Sequence, residues 1–296
     1  MKSYLDKTWF SKLGYFLVAI LWGTSFAFQK TLVSVMNPVN FTFWNFFLSA
    51  LVFVFVAIYN RQNFLYRWRE GLLLGVFLSG LEISQMIGLS LTSSANTVFL
   101  TNLGMLILPF LGFIIFKHKV KSHNTIALLL AIFGMYFLVG GVDHFGVGDV
   151  LQLVSAIFMG LYFLYIEKFY GEKSSHITVL IAQQFIVVSL ACVLYQISLG
   201  VSFFVPDFLW TEILWQILIF TTIPYLIVAL ASVHTDEMIA AIYDGVVEPL
   251  VGAVVSWGLF HEQAGVLNIL GGFTMLFAFW LSIIASYKHF VFGRHR

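Results

Sequence analysis

The chain has little charge and almost no cysteine, and each shortage excludes something. Only 10% of its 296 residues are Asp, Glu, Lys or Arg, while 60% are apolar. An ordinary globular protein has roughly 25% charged and 45–50% apolar residues. So few charges cannot cover the surface of a soluble protein of this length, which excludes soluble enzymes and nucleic-acid binders. Cys192 is the single cysteine, so neither an intrachain disulfide nor a secreted disulfide scaffold is available. No P-loop is present, which excludes transport driven directly by ATP within this chain. Residues 31–60, 213–235 and 263–287 lack any Asp, Glu, Lys or Arg. Each run exceeds the ~20 residues that carry a helix across a ~30 Å hydrocarbon core. The fold class is therefore an all-α integral membrane protein.

Cutting the sequence at its polar punctuation predicts ten spans. They run over about 13–36, 41–59, 72–91, 94–116, 124–141, 149–167, 176–199, 211–230, 237–260 and 266–287. Short connections make consecutive spans antiparallel neighbours. With the N-terminus inside, the inner segments carry Lys2, Lys7 and Lys12, then Arg61, Arg67 and Arg69, then Lys117, Lys119 and Lys121. Lys168 and Lys173 follow, and finally Lys288, Arg294 and Arg296. These are fourteen of the fifteen basic residues, with only Lys30 left over. That asymmetry predicts an even number of spans with both termini cytoplasmic. The first apolar run is too long for a signal peptide and no small-x-small site follows it before Pro38, so an uncleaved first span is expected.

The halves look alike at equivalent junctions. Phe116-Lys117-His118-Lys119 closes the fourth span, and Phe260-His261-Glu262-Gln263 closes the ninth. Residues 90–94 join the third and fourth spans, as residues 232–236 join the eighth and ninth. Gly14 and Gly148 open the first span of each half. Five spans per copy is an odd number, so the second copy must lie inverted in the membrane. Two inverted five-helix repeats, 13–141 and 148–287, are expected around a central cavity, the architecture of alternating-access carriers.

The residues at these places resemble the EamA-like family of the drug/metabolite transporter superfamily. The likeness is carried by Trp22-Gly23 with Lys30, by Pro38 with Phe43, and by Gly88-Leu89 followed by Thr92-Ser93-Ser94-Ala95. Gly148-Asp149, and Glu248-Pro249 ahead of Leu259-Phe260-His261-Glu262, complete it. The resemblance covers about residues 13–287 and implies a ten-helix basket that exports or exchanges small metabolites. It also implies a bacterial inner (plasma) membrane location. Asn45 stands where the family often has Arg, His118 replaces the Glu that Glu262 retains, and Met105 takes a usual proline position, with Pro109 one turn later.

Ionisable groups at depth cost several kcal/mol in hydrocarbon and mark functional sites. Glu82 lies mid-span, with Gln85 on its face. Asp244 and Glu248 are four apart, so their carboxylates stack, and two like charges at low dielectric do not both ionise cheaply. These acids are expected to serve a substrate or proton pathway, against a structural role satisfied by neighbouring hydroxyls or amides. Asn102, in the polar stripe of Asn96, Thr97 and Thr101, joins that pathway; Gln183-Gln184 form a second stripe. Trp22, Tyr162 and Tyr243 are assigned to it as stacking groups, with Tyr165, Tyr225 and Trp257 as further aromatic candidates. Pro249 with Gly252 marks the expected gate, because a proline in a span frees a carbonyl one turn earlier. Lys30 either attracts anions, pairs with a deep acid or snorkels to headgroups.

Enzyme readings are weaker. Gly146-Val147-Gly148-Asp149 with Tyr243-Asp244 matches the motif pair of intramembrane aspartyl proteases, but in reversed order. His261-Glu262 begins a zinc-protease motif that Gly265 breaks. No enzyme, metal site or cofactor is expected. The expected function is a secondary active transporter, proton-coupled or exchange-type, exporting small polar metabolites such as amino acids, the direction and substrate class coming from the resemblance. An uptake permease, a channel or a protease is the alternative. Its partners are the lipid bilayer and a small-molecule substrate, with no nucleic acid.

Overall fold

A computed structural model describes residues 2–117, 120, 122–138, 145–170, 176–231 and 246–293. Regular structure among the described residues is helical throughout. The helices are α1 (Lys2–Val33), α2 (Pro38–Tyr59), α3 (Trp68–Leu91), α4 (Ser94–Phe116), α5 (Ser122–Leu138), α6 (Val147–Tyr170) and α7 (Ile177–Leu199). A rod termed α8 runs through Trp210–Trp215, a π segment Gln216–Thr222, and Ile223–Ala231. Its neighbour α9 joins Glu248–Ala253 to a π segment Val254–Leu259, and α10 is Val266–Gly293. Seven of these helices are long and apolar enough to cross a membrane, and Asn124–Leu138, Glu248–Leu259 and Val266–Leu281 are shorter apolar stretches.

Local chemistry explains most boundaries. Helix α2 begins at Pro38 rather than at 41, since proline suits the first turn and Asn37 caps it. The Asn37 side chain accepts from the amides of Val39 (2.9 Å) and Asn40 (3.2 Å). Ser93 caps α4 by accepting from Asn96 N at 3.0 Å, and the left-handed Lys117 ends that helix. Helix α1 starts well before residue 13, because no Gly or Pro interrupts residues 2–13 ahead of the apolar run. Pro224 follows the π segment of α8, and Pro249 sits in the first turn of α9. Wider π turns near prolines are a common way for a helix to absorb a missing donor. Residues 232–245 lie outside the described residues, so Tyr243, Asp244 and the first part of the expected ninth span do too.

Three apolar clusters hold the bundle. One gathers Phe26 of α1, Val98 to Leu106 of α4, Ala127 and Ala131 of α5, Ala253 of α9 and Met275 of α10. A second joins Phe46 and Phe53 of α2, Leu74 and Leu78 of α3, Tyr162 of α6 and Phe185 of α7. The third unites Leu32 and Val33, Phe41, Met86 and Leu89 with Val205, Leu209, Ile213 and Ile217. This third cluster lies at one end of the bundle, here termed the crown, where α1, α3, α7 and α9 end and α2, α4, α8 and α10 begin. The opposite end is the base, tied by Gln183 Nε2 donating to the carbonyls of Phe64 (2.6 Å) and Tyr66 (3.1 Å). Helix α1 is central: it packs on α9, α8, α4 and α3.

Candidate functional site

At the crown, three charged side chains converge on the short turn between α3 and α4. Lys30 Nζ donates to the carbonyls of Leu89 (2.8 Å), Ser90 (3.3 Å) and Thr92 (2.7 Å). A helix C-terminus leaves carbonyls unpaired and carries partial negative charge, so an ammonium is the matching cap. The α4 N-terminus receives the opposite sign. Glu262 Oε1 accepts from Ser94 N (2.9 Å) and Ser94 Oγ (2.6 Å), and Oε2 accepts from Ala95 N (3.2 Å). Asp149 Oδ1 accepts from Thr92 Oγ1 (2.7 Å) and Asn96 Nδ2 (3.2 Å), while Oδ2 accepts from Gly146 N (2.9 Å). Lys30 therefore caps the carboxy terminus of α3. Asp149 serves the same clasp, which leaves the aspartyl-protease motif without a described catalytic pair.

Below the clasp, Gln152 of α6 stitches three helices together. Its Oε1 accepts from Thr101 Oγ1 (2.9 Å), and its Nε2 donates to Gln85 O (3.0 Å) and Thr97 Oγ1 (3.1 Å). Two members of the α4 stripe are thus structural. A third, Asn102, turns the other way: Nδ2 donates to Glu248 Oε1 at 3.1 Å and to Val98 O at 2.8 Å. Asn102 and Glu248 are both buried. Their approach depends on a tight crossing of α1 and α9. A Cβ added at Gly23 would lie 2.5 Å from the Glu248 carbonyl and 3.1 Å from Gly252 N. Pro249 and Gly252 are buried at this crossing.

The remaining acid, Glu82, belongs to a different layer. Leu32, Val33, Phe41, Met86, Leu89, Ile213 and Ile217 form the apolar crown plug. On α1, α2 and α3 a polar side chain lies one turn from the plug toward the base, and on α8 a polar side chain lies between two plug residues, Ile213 and Ile217. Gln29 lies four residues from Val33 on α1, Asn45 four from Phe41 on α2, Glu82 four from Met86 on α3, and Gln216 three from Ile213 on α8. The four segments pack on one another around α1 and α2. Gln29 (8% exposed), Asn45 (4%) and Gln216 (2%) are buried, and Gln29 Oε1, Asn45 Oδ1 and both amide atoms of Gln216 have no hydrogen-bond partner among the described residues. Glu82 is half-buried and makes no hydrogen bond or ion pair among them. Buried polar atoms are normally paired, so a group of orphans at one level is a feature to be explained.

The other sequence candidates distribute as follows. Gln85 is buried on the Glu82 face. Trp22 meets Tyr225 edge-on at 5.5 Å, and Tyr225 meets Phe185 at 4.8 Å, which forms an aromatic floor on the base side of the layer. Tyr162 instead donates to Gln184 Oε1 at 2.7 Å and knits α6 to α7. Trp257 stacks on Phe99, and Tyr165 meets Phe77 and Phe116 at tilted angles. Sequence reasoning missed Gln29, Gln152 and Gln216; an uncharged amide within an apolar run was the only signal. A groove of about 310 Å³ between α2 and α7, lined by residues such as Phe43, Phe47, Leu51 and Leu190, is apolar and lies away from the layer. No group of three or more His, Cys, Asp or Glu suited to a metal occurs among the described residues.

Comparison with known proteins bears on this architecture. A solved crystal structure superposes with a TM-score of 0.68 at 13% identity, covering 94% of this chain and 98% of that one. At that identity the likeness shows a shared fold alone. An "Uncharacterized transporter" of Archaeoglobus fulgidus is 30% identical over 156 residues, 52% of this chain. The match spans about half (48%) of that relative's length. The model of the EamA-like transporter family matches residues 9–140. Together with the seven membrane-length helices, the family match describes a multi-pass membrane protein. Trp22-Gly23, Lys30 and Thr92-Ser93-Ser94-Ala95, which carry the resemblance seen in the sequence, all fall within the stretch, residues 9–140, that is similar to the EamA-like transporter family.

Proposed function

We propose that this protein is a secondary active transporter that moves small polar metabolites, such as amino acids, out of the cell by proton coupling or exchange. Its two halves, 13–141 and 148–287, are inverted repeats of five spans, with both termini and the base end cytoplasmic. The membrane is a bacterial inner (plasma) membrane. The family match and the relative's printed name support the transporter class. The distribution of basic residues supports the orientation.

The observation that carries the reading is Glu82, a carboxylate that makes no hydrogen bond or ion pair among the described residues, inside an apolar bundle. Its depth in α3 leaves it no route to the headgroups. On the helices packed against α3, Cys192 of α7 is within Coulombic reach, and Lys30 is held by the α3 carboxy terminus. A carboxylate so placed binds either a proton or a solute, and exchanging one for the other links solute movement to the proton gradient. The crown plug and clasp close the layer on one side, and Asn102, Glu248 and the Gly23–Gly252 crossing form the mobile seam with α9, where Pro249 and Gly252 act as the gate. Asp244 and Tyr243, outside the described residues, belong to the proposed pathway.

Flux into proteoliposomes from a metabolite mixture tests the proposal. Saturable uptake of particular polar metabolites, accelerated by an imposed pH gradient or by preloaded solute, is expected. Non-saturable flux proportional to concentration would instead favour a channel, and no flux of any polar metabolite would reject transport.

A further inference from the structure

We propose that the seam between α2 and α7 binds an anionic phospholipid, with an acyl chain in the apolar groove and the phosphate at Arg61, where α2 ends at the base. The inference is independent of what the protein transports and needs only that α2 and α7 cross the bilayer. The groove, about 310 Å³, is within the size range of ligand pockets. Phe43, Phe47, Leu51 and Val54 line it from α2, and Ile186 and Leu190 from α7. The four α2 residues recur every three or four positions and so share one face. Leu51 and Leu190 are exposed, so the groove opens outward from the bundle, toward lipid. Ser189 is the single polar residue in its lining, and its hydroxyl donates to Phe185 O at 2.8 Å. With that hydroxyl turned away, the chemistry of the groove suits a hydrocarbon chain.

The same α2 face leads to an uncompensated charge. Ile58, four residues beyond Val54, is exposed on that face, and its carbonyl accepts from Arg61 N at 2.9 Å. Arg61 thus follows the groove by about 10 Å along the helix axis. Helix α2 has 22 residues, enough to cross the ~30 Å hydrocarbon core, which puts Arg61 at headgroup level. Its guanidinium is exposed and makes no hydrogen bond or ion pair among the described residues. Its backbone is left-handed, at φ 51°, where Gly or Asn sits at less cost. The turn is fixed by other groups: Thr178 Oγ1 donates to Gln62 Oε1 at 2.5 Å, and Gln183 Nε2 reaches the Phe64 and Tyr66 carbonyls. These bonds seat it against the base end of α7, the other wall of the groove. Residues 31–81 carry Arg61, Arg67, Arg69 and Glu70 as their only charges. Glu70 pairs with Arg67 at 3.2 Å, so Arg61 and Arg69 stay unneutralised. Arg69 lies over the exposed Trp68 ring, 5.4 Å from its centroid, as suits an interfacial aromatic. Two such guanidiniums complement a phosphate on a lipid of net negative charge.

Native mass spectrometry of the purified full chain tests this with phosphatidylglycerol and phosphatidylcholine of identical acyl chains. Phosphatidylglycerol is expected to bind about tenfold more tightly. Arg61→Gly suits the left-handed backbone while removing the charge, so its unfolding temperature in lipid-free detergent is expected to match or exceed wild type. Its preference for phosphatidylglycerol is expected to fall to about twofold, and Arg61→Lys to keep the preference. Leu51→Trp, which fills the groove from an exposed position, is expected to weaken both lipids severalfold. Equal binding of the two lipids to wild type, or an undiminished preference in Arg61→Gly, overturns the headgroup site. Unchanged lipid binding in Leu51→Trp overturns the groove, and a dimer that retains no lipid would put a second copy of the chain there instead. The transport reading falls separately, only if proteoliposomes carry no polar metabolite.

Discussion

Glu82→Gln is expected to leave expression, helix content and thermal stability close to wild type while removing the dependence of flux on a pH gradient. The amide keeps the size of the carboxylate and part of its hydrogen bonding, but it fixes a neutral group in the layer. Because Glu82 makes no bond among the described residues, its loss breaks no scaffold, and stability should stay within about 1 kcal/mol of wild type. Paired measurements of unfolding temperature and of flux with and without the gradient check this. A Gln variant with normal, equally pH-dependent flux would make Glu82 structural and shift coupling to Asp244 and Glu248.

The second large effect is expected at the α1–α9 crossing. Gly23→Val introduces a Cβ 2.5 Å from the Glu248 carbonyl and 3.1 Å from Gly252 N, both backbone atoms that cannot rotate away. The helices must part, which costs about 1–3 kcal/mol or more by overpacking. Separation also stretches the 3.1 Å bond from Asn102 to Glu248 and displaces Gln29 and Lys30, which ride on the same helix. A marked fall in unfolding temperature with loss of flux is therefore expected. Gly258→Ala is the control, since nothing lies within 4 Å of a Cβ there. Equal stability of the two variants would show that the crossing is loose.

How much of this was legible in the sequence differs by feature. Span positions were readable because hydropathy and capping are local: α4 occupies Ser94–Phe116 as predicted, between a Ser cap and a charged turn. Glu82 stood out because a charge in an apolar run has few explanations. The clasp was not readable, although Lys30, Asp149 and Glu262 were all noticed. Two of them bind backbone groups from far along the chain, Lys30 across 59 residues and Glu262 across 168, and backbone carbonyls leave no mark in a sequence. Gln29, Asn45 and Gln216 were hidden differently. Each is a neutral amide within an apolar run, and that its buried atoms go unpartnered depends on how α1, α2, α3 and α8 pack. The π segments beside Pro224 and Pro249 were invisible too, because a proline marks a missing donor without saying how the helix rearranges.

The central claim is that the polar layer opens alternately to the two faces of the membrane, and thiol accessibility at position 45 tests it most directly. Asn45→Cys is made in a Cys192→Ser background, which removes the chain's single native cysteine. A membrane-impermeant cationic thiol reagent is then applied to one face of oriented vesicles at a time, alongside conductance in planar bilayers. Labelling from each face, slowed by transported solute and without ionic conductance, is the predicted result. Labelling from one face only, or from both with a steady conductance, would contradict the account.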